Sequence, residues 1–394
     1  MHNRFDNLFE YIRCLRQAFS CRSFVRVFPP MFLLCGMTFA SVGLAEVDHA
    51  YPVETLDTVM MDASQQVFVE ADWLDASSAP RATLTPFAEL LTLKLTEGSA
   101  ENWAQVITPK GTGSLAGTAQ LVDAPFGWNA GIRAGVERAW PEQGSGVRLS
   151  YTYFSTQATN HAAGEVYSAF LGNFFADNPD GSSFGPKYRS ADLDWNVQFH
   201  TIDLEIHRTF MISPALTLRP FVGVKSAIIR QDIDSRWYSP IDSSSHDYQF
   251  NSAAETLTQD FWGIGPSIGV NALIPLSMTP THSLQAYVTP SAALMYGNWN
   301  FSEVYRTDGP TSTTIPTPSN IEINSDPIHG AATMLRLALG AQWEQPGERV
   351  TTRVRLGYEA QVWLNQMQFY SYNMGRLNNL MSLQGGVLEV GFSF

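Results

Sequence analysis

Asp203-Leu204-Glu205-Ile206-His207 places two carboxylates and an imidazole at alternate positions of a short run. In an extended strand, residues i, i+2 and i+4 share one face, so the three would stand together, as a general base needs in order to activate water. One reading is a hydrolase site built on Asp203 and His207; the other is a salt-bridge network on a wet strand face. Other chemistry-bearing residues are scattered. Gly263-Ile264-Gly265 leads into Pro266 within a strand pattern and no helix follows, so a nucleotide loop is not indicated and the glycines are read as relieving crowding. The 8 histidines lack metal-ligand spacing, and no metal or cofactor is expected. Asp232, Asp234, Asp242, Asp308 and Asp326 are read as solvated loop charge, the alternative being cation or saccharide bridging.

Which reading holds depends on the elements that carry these residues. The chain has 394 residues, 24 Lys and Arg against 37 Asp and Glu, and a formal charge of -13. With 15% charged and 12% aromatic residues it is not a disordered acidic chain. The acidic balance excludes nucleic acid as a partner. All 3 cysteines, Cys14, Cys21 and Cys35, lie in the first 35 residues. There Arg4, Arg13, Arg16, Arg22 and Arg26 precede an apolar run, Met31 to Val42, and the small-residue stretch Gly43-Leu44-Ala45. This is the layout of a secretory signal peptide over 1–45, cleaved after Ala45, with an uncleaved anchor as the alternative. Cleavage leaves 19 basic and 35 acidic residues and no cysteine.

Beyond the leader, no run is long and apolar enough for a helical span. Alternation takes its place. Trp128, Ala130, Ile132, Ala134 and Val136 alternate with Asn129, Gly131, Arg133 and Gly135, one face suited to lipid and the other to water. The pattern recurs at about Phe87–Leu95, 147–153, 202–206, 218–224, 262–270, 284–294, 333–341, 350–358 and 386–394, ten strands in all. Short links near 140–145, 211–215, 276–282 and 345–349 alternate with long ones near 98–126, 157–193, 232–258, 304–329 and 366–381. The expected fold is all-β: a transmembrane antiparallel up-and-down barrel of 10–12 strands over 87–394, with short periplasmic turns and long extracellular loops. Residues 46–86 form a periplasmic N-terminal extension, in which Val67-Phe68-Val69 could be a short strand or peg. Trp140, Phe210, Trp343 and Phe394 near the short turns, and Tyr153, Trp262, Tyr296 and Trp363 toward the long loops, are expected as aromatic girdles.

The water-facing positions then give the candidate site: Arg133, Glu137, Arg148, Asp203, Glu205, His207, Arg219, Lys225, Arg336, Arg353, Arg355 and Glu359, with Glu389 beside them. Such a mixed lumen sets a transverse field on passing ions, or the charges neutralise one another and fill a narrow barrel. His207 falls just before the periplasmic turn at Ser213-Pro214, whereas a surface hydrolase needs its site near the outer loops; the salt-bridge reading is preferred and no enzyme is expected. Glu389-Val390-Gly391-Phe392-Ser393-Phe394 ends in mid-alternation, and Phe392 and Phe394 are read as the β-addition signal for the barrel assembly machinery.

Four blocks, Leu216-Thr217-Leu218-Arg219-Pro220-Phe221-Val222-Gly223, Asp260-Phe261-Trp262-Gly263-Ile264-Gly265-Pro266, Leu294-Met295-Tyr296-Gly297 and Gly357-Tyr358-Glu359 leading to Trp363, resemble the Legionella-type major outer membrane protein family in matching order over about 85–394. The resemblance implies a pore-forming barrel in a Gram-negative outer membrane and carries no catalytic residues. Leu91-Thr92-Leu93-Lys94 departs from it, standing where a more aromatic first strand is usual. The leading expectation is therefore a porin passing small hydrophilic solutes or ions. The alternatives are a surface adhesin or structural barrel with a closed lumen, and an outer-membrane hydrolase. Expected partners are outer-membrane lipid, the assembly machinery, the solutes or ions, a second copy in a homo-oligomer, and surface ligands at the long loops.

Overall fold

The computed structural model describes residues 82–98, 100, 103–111, 117–168, 187–241, 250–309, 320–371 and 375–394. The leader, most of the extension with Val67-Phe68-Val69, and Asp242 lie outside the described residues.

Strong alternation of apolar and polar side chains makes almost every described segment a strand. In chain order these are β1 (Thr83–Glu97), β2 (Ala104–Pro109), β3 (Gly117–Val122), β4 (Trp128–Trp140), β5 (Ser145–Ser168), β6 (Lys187–Arg208) and β7 (Phe210–Ser213). They are followed by β8 (Leu216–Ile241), β9 (Ser252–Met278), β10 (Ser283–Thr307), β11 (Asn320–Asn324), β12 (Ile328–Gln345), β13 (Thr351–Ser371) and β14 (Gly375–Ser393). Ten of them, β1, β4, β5, β6, β8, β9, β10, β12, β13 and β14, pair antiparallel in a ring that β14 closes against β1, Phe87 opposite Gly391 and Glu97 opposite Met381. Closure satisfies the edges that an open sheet would leave unpaired. The remaining strands are appendages: β2 and β3 form a hairpin tethered to β5, β7 extends a turn against β8, and β11 lies along β10.

The short turns hold the register. At Pro141 to Gly144 a tight 3₁₀ turn ends in Gly144 at φ 60, a left-handed conformation that glycine adopts without steric cost. Its carbonyl accepts from the Thr209 N–H at 2.6 Å, tying this turn to the next.

The strands run well past their expected ends. A tilted strand crosses a bilayer in about 9–11 residues, yet β8, β9 and β10 have 26, 27 and 25. On β8 the outward residues Val222, Val224 and Ile228 give way to Arg230, Asp232, Asp234 and Arg236, while the inward ones become Ala227, Ile229, Ile233 and Trp237. The alternation persists but its sense inverts, so the half remote from the short turns has a wet wall and a mainly apolar inside. Much of what the sequence suggested as long loops, such as 157–168 and 187–193, is this upper wall. The first strand begins at Thr83, four residues before the expected Phe87.

Of the eight expected girdle residues five are exposed, Trp140 and Trp343 are half-buried, and one is corrected. Tyr153, Trp262 and Tyr296 are exposed on the outer surface, as are Phe210 and Phe394. Trp363 is not: it shares the inward parity of Arg353, Arg355 and Glu359, is fully buried, and packs edge-on against Phe199 with centroids 5.3 Å apart.

Candidate functional site in the barrel interior

The inside of the barrel consists of two stacked tiers. The lower lies at the depth of the apolar outer belt and gathers all twelve inward residues expected from the sequence. Seven cations, Arg133, Arg148, Arg219, Lys225, Arg336, Arg353 and Arg355, face six carboxylates, Glu89, Glu137, Asp203, Glu205, Glu359 and Glu389, with His207 among them.

Arg133 on β4 is the central strut. Its guanidinium donates past β1 and β14 to Glu359 Oε1 at 2.8 Å and Oε2 at 3.1 Å, to Glu89 Oε2 at 2.5 Å, and through Nε to Thr152 Oγ1 at 3.0 Å. Arg148 donates to Glu89 at 2.9 Å and Glu389 at 3.2 Å, with its guanidinium 3.9 Å from the Phe87 ring centroid. Arg353 Nε reaches Glu389 Oε1 at 2.9 Å, and Arg336 reaches Glu359 at 2.5 Å. Charge-assisted, partly bidentate bonds of this kind are the strong ones. The side chains leave a cavity of about 80 Å³, room for a few waters.

Asp203 and His207 go to different partners. Asp203 pairs with Lys225, and His207 sits against Arg219 and 3.7 Å from Glu137. The carboxylate–imidazole constellation suggested by their spacing is taken up by two separate ion-pair groups. Glu205 lines the cavity. Glu89 was missed by sequence reasoning because the first strand carries little outward apolar signal; its inward parity with Phe87 and Leu91 was the available clue.

The upper tier is mainly apolar, with Glu97, Glu255 and Glu303 among its buried polar residues. Leu91, Leu93, Phe154, Phe199, Phe261, Trp195, Trp299 and Trp363 are fully buried inside the barrel, each indole N–H satisfied. Gln361 couples the tiers, accepting from Trp363 Nε1 at 3.1 Å and donating to Glu359 at 2.6 Å. A bulge in β13 between Trp363 and Met367 turns Gln366 inward; its carbonyl accepts from Trp299 Nε1 at 3.1 Å and Gln259 Nε2 at 2.9 Å.

Described parts of the connection between β1 and β4 pack onto this tier. Trp103 and Phe126 are buried there, Trp103 tilted against Trp237 at 5.7 Å and Phe126 edge-on to Trp195 at 5.6 Å. The connection is fixed locally by Trp103 Nε1 donating to the Asp123 carbonyl at 3.1 Å and by three β2–β5 residue pairs.

A closed ten-stranded antiparallel barrel with an apolar, aromatic-girdled outside and a charged inside is an outer-membrane β-barrel. The chain belongs to the family of the Legionella pneumophila major outer membrane protein precursor, whose model matches residues 86–394. No curated protein matches it. Among solved structures it is similar to a major outer membrane protein from Thermus thermophilus, at 13% identity and TM-score 0.29, covering 80% of this chain and 100% of that one. It is also similar to the Pseudomonas putida toluene transporter TodX, at 9% identity and TM-score 0.22 over 80% and 91% of the two chains.

Proposed function

We propose that this outer-membrane barrel is a channel of the porin class, passing small hydrophilic solutes or ions through a narrow charge-lined constriction, and that the conformation described is its closed state. The lower tier carries this reading. Burying ion pairs is no more stabilising than well-packed apolar side chains, because desolvation offsets the Coulombic gain. A purely structural barrel has no need of thirteen charged side chains at membrane depth, whereas a path for water and ions does.

One observation favours the second reading, a closed structural barrel: the apolar tier and the inserted Trp103 and Phe126 occlude the outer half. The two readings separate on whether the occlusion is reversible. Liposomes holding the purified full chain are expected to swell in small sugars and not in large oligosaccharides; tight liposomes containing folded barrels would favour the structural reading. Catalysis is not part of the proposal, since Asp203 is paired with Lys225 and His207 is held against Arg219. Export by the 1–45 leader and recognition of Phe392 and Phe394 by the assembly machinery complete it.

A further inference from the structure

The charges of the lower tier do not all neutralise one another. Asp203 is taken by Lys225, Glu89 by Arg133 and Arg148, Glu359 by Arg133 and Arg336, Glu389 by Arg148 and Arg353, and Glu137 by Arg219. Two groups are left over. Glu205 lines the cavity, and among the described residues its carboxylate makes no ion pair and no hydrogen bond. Arg148, its direct partner across β5 and β6, turns instead to Glu89 and Glu389. Arg355 donates through Nε to Gln342, but its nearest carboxylate is Glu389 at 3.7 Å, whose oxygens already accept from Arg148 and Arg353. Arg355 therefore lines the cavity with terminal nitrogens that make no hydrogen bond among the described residues.

These two groups stand on opposite walls, because β13 is the fifth strand from β6 in either direction round the ring. Pairing followed strand by strand from Glu205 reaches Trp363 on β13 one way round and Thr351 the other. Strand tilt spreads the two tracks, so their midpoint, Gly357, is at the height of Glu205, and Arg355 is the next inward residue below it. Ten strands about 4.8 Å apart and tilted about 40° close a ring about 20 Å across. A long arginine and a glutamate reaching inward narrow that width to the span of a small molecule with a hydrogen bond at each end.

We propose that the lower-tier cavity binds a small zwitterion, a free α-amino acid of the size of glycine or alanine, with its ammonium group at Glu205 and its carboxylate at Arg355. A cavity of about 80 Å³ holds about five to eight water-sized groups, as many as the non-hydrogen atoms of these two amino acids. The tier's overall excess, seven cations to six carboxylates, favours a plain anion, but such an ion meets the unpaired Glu205. A plain cation meets Arg355 and that excess. A molecule carrying both charges satisfies both walls with charge-assisted bonds. Passage of the amino acid rests on the channel reading; its binding rests on the cavity alone.

The test is saturation-transfer NMR of the full chain in detergent micelles with L-alanine and with propionate, ethylammonium and lactamide, which keep the size and remove one charge or both. Alanine is expected to bind, and each analogue to bind about tenfold or more weakly, the effect of losing a charge-assisted contact. Glu205→Gln is expected to lower alanine to the level of propionate without weakening propionate, and Arg355→Gln to lower it to the level of ethylammonium. The analogue series on the unaltered protein decides the matter even where a variant does not fold. Lactamide or propionate binding as well as alanine, no binding of alanine to the folded barrel, or an unchanged preference in folded Glu205→Gln would overturn the proposal. Liposome swelling separates it from the channel reading. Alanine binding with tight liposomes supports the site and contradicts the channel, whereas equal swelling in alanine and lactamide without alanine binding overturns the site and leaves the channel.

Discussion

Arg133 and Glu359, 226 residues apart in sequence, meet inside the barrel in a bidentate pair at 2.8 and 3.1 Å, and the same carboxylate also accepts from Arg336. Strands β1 and β14 lie between β4 and β13 in the ring, so this contact bridges non-adjacent strands inside the lumen.

Removing one partner leaves the other buried and unpaired. Arg133→Ala is expected to destabilise the folded barrel by about 3–5 kcal/mol, while a triple Arg133→Met/Arg336→Met/Glu359→Met replacement, which removes the cluster's partners together, recovers most of the loss. Urea unfolding in lipid vesicles, followed by tryptophan fluorescence, measures both.

Trp103 plugs the outer mouth while belonging to a connection held to the wall by three residue pairs. Truncating a buried Trp removes about 3–5 kcal/mol of packing, and 1.4 kcal/mol is tenfold in an equilibrium. Trp103→Ala is therefore expected to raise the open fraction at least about tenfold, read as open probability in single-channel records.

The Phe394 backbone exchanges hydrogen bonds with Leu84 at 3.0 and 3.2 Å, whereas its ring and that of Phe392 are exposed on the outer surface. Phe392→Ala/Phe394→Ala should leave refolding from urea into micelles nearly unchanged but lower the amount of barrel inserted in cells, with the unfolded chain accumulating in the periplasm. Normal insertion would show that the rings are not the assembly signal.

Asp308 lies outside the membrane and accepts from the Asn251 and Ser252 N–H groups at 2.7 and 3.0 Å. Slight burial raises its pKa, but these backbone donors and the Ser252 hydroxyl outweigh that and hold it below the usual aspartate value. The folded pKa being depressed, its contribution is present above the unfolded pKa of about 3.9 and is lost as pH falls through the folded one. Exchange of the Asn251 and Ser252 amides, corrected for intrinsic rate, should accelerate in acid, and Asp308→Asn should remove that pH dependence.

The lower half of the barrel could be read from the sequence because alternation there has one meaning: apolar side chains meet lipid, and residues such as Arg133, Lys225 and Glu359 are left to face inward. The upper half obeys the same period with the opposite meaning. Trp195, Val197 and Phe199 point in, while Asp194, Asn196 and Gln198 point out into water, so a reading that equates apolar with lipid loses the strand. Trp363 was misplaced for the same reason: aromatic type suggested the girdle, although parity put it inside. The burial of Trp103 and Phe126 had no local signal, since they are held by tertiary contacts with Trp237 and Trp195.

The central claim, a channel whose described conformation is closed, is tested most directly by planar-bilayer recording of the purified full chain beside Trp103→Ala. Rare stepwise openings in the unaltered protein and frequent openings of the same unit size in the variant are predicted. Folded protein that stays silent in both forms at every voltage would contradict the account and make the barrel a structural one.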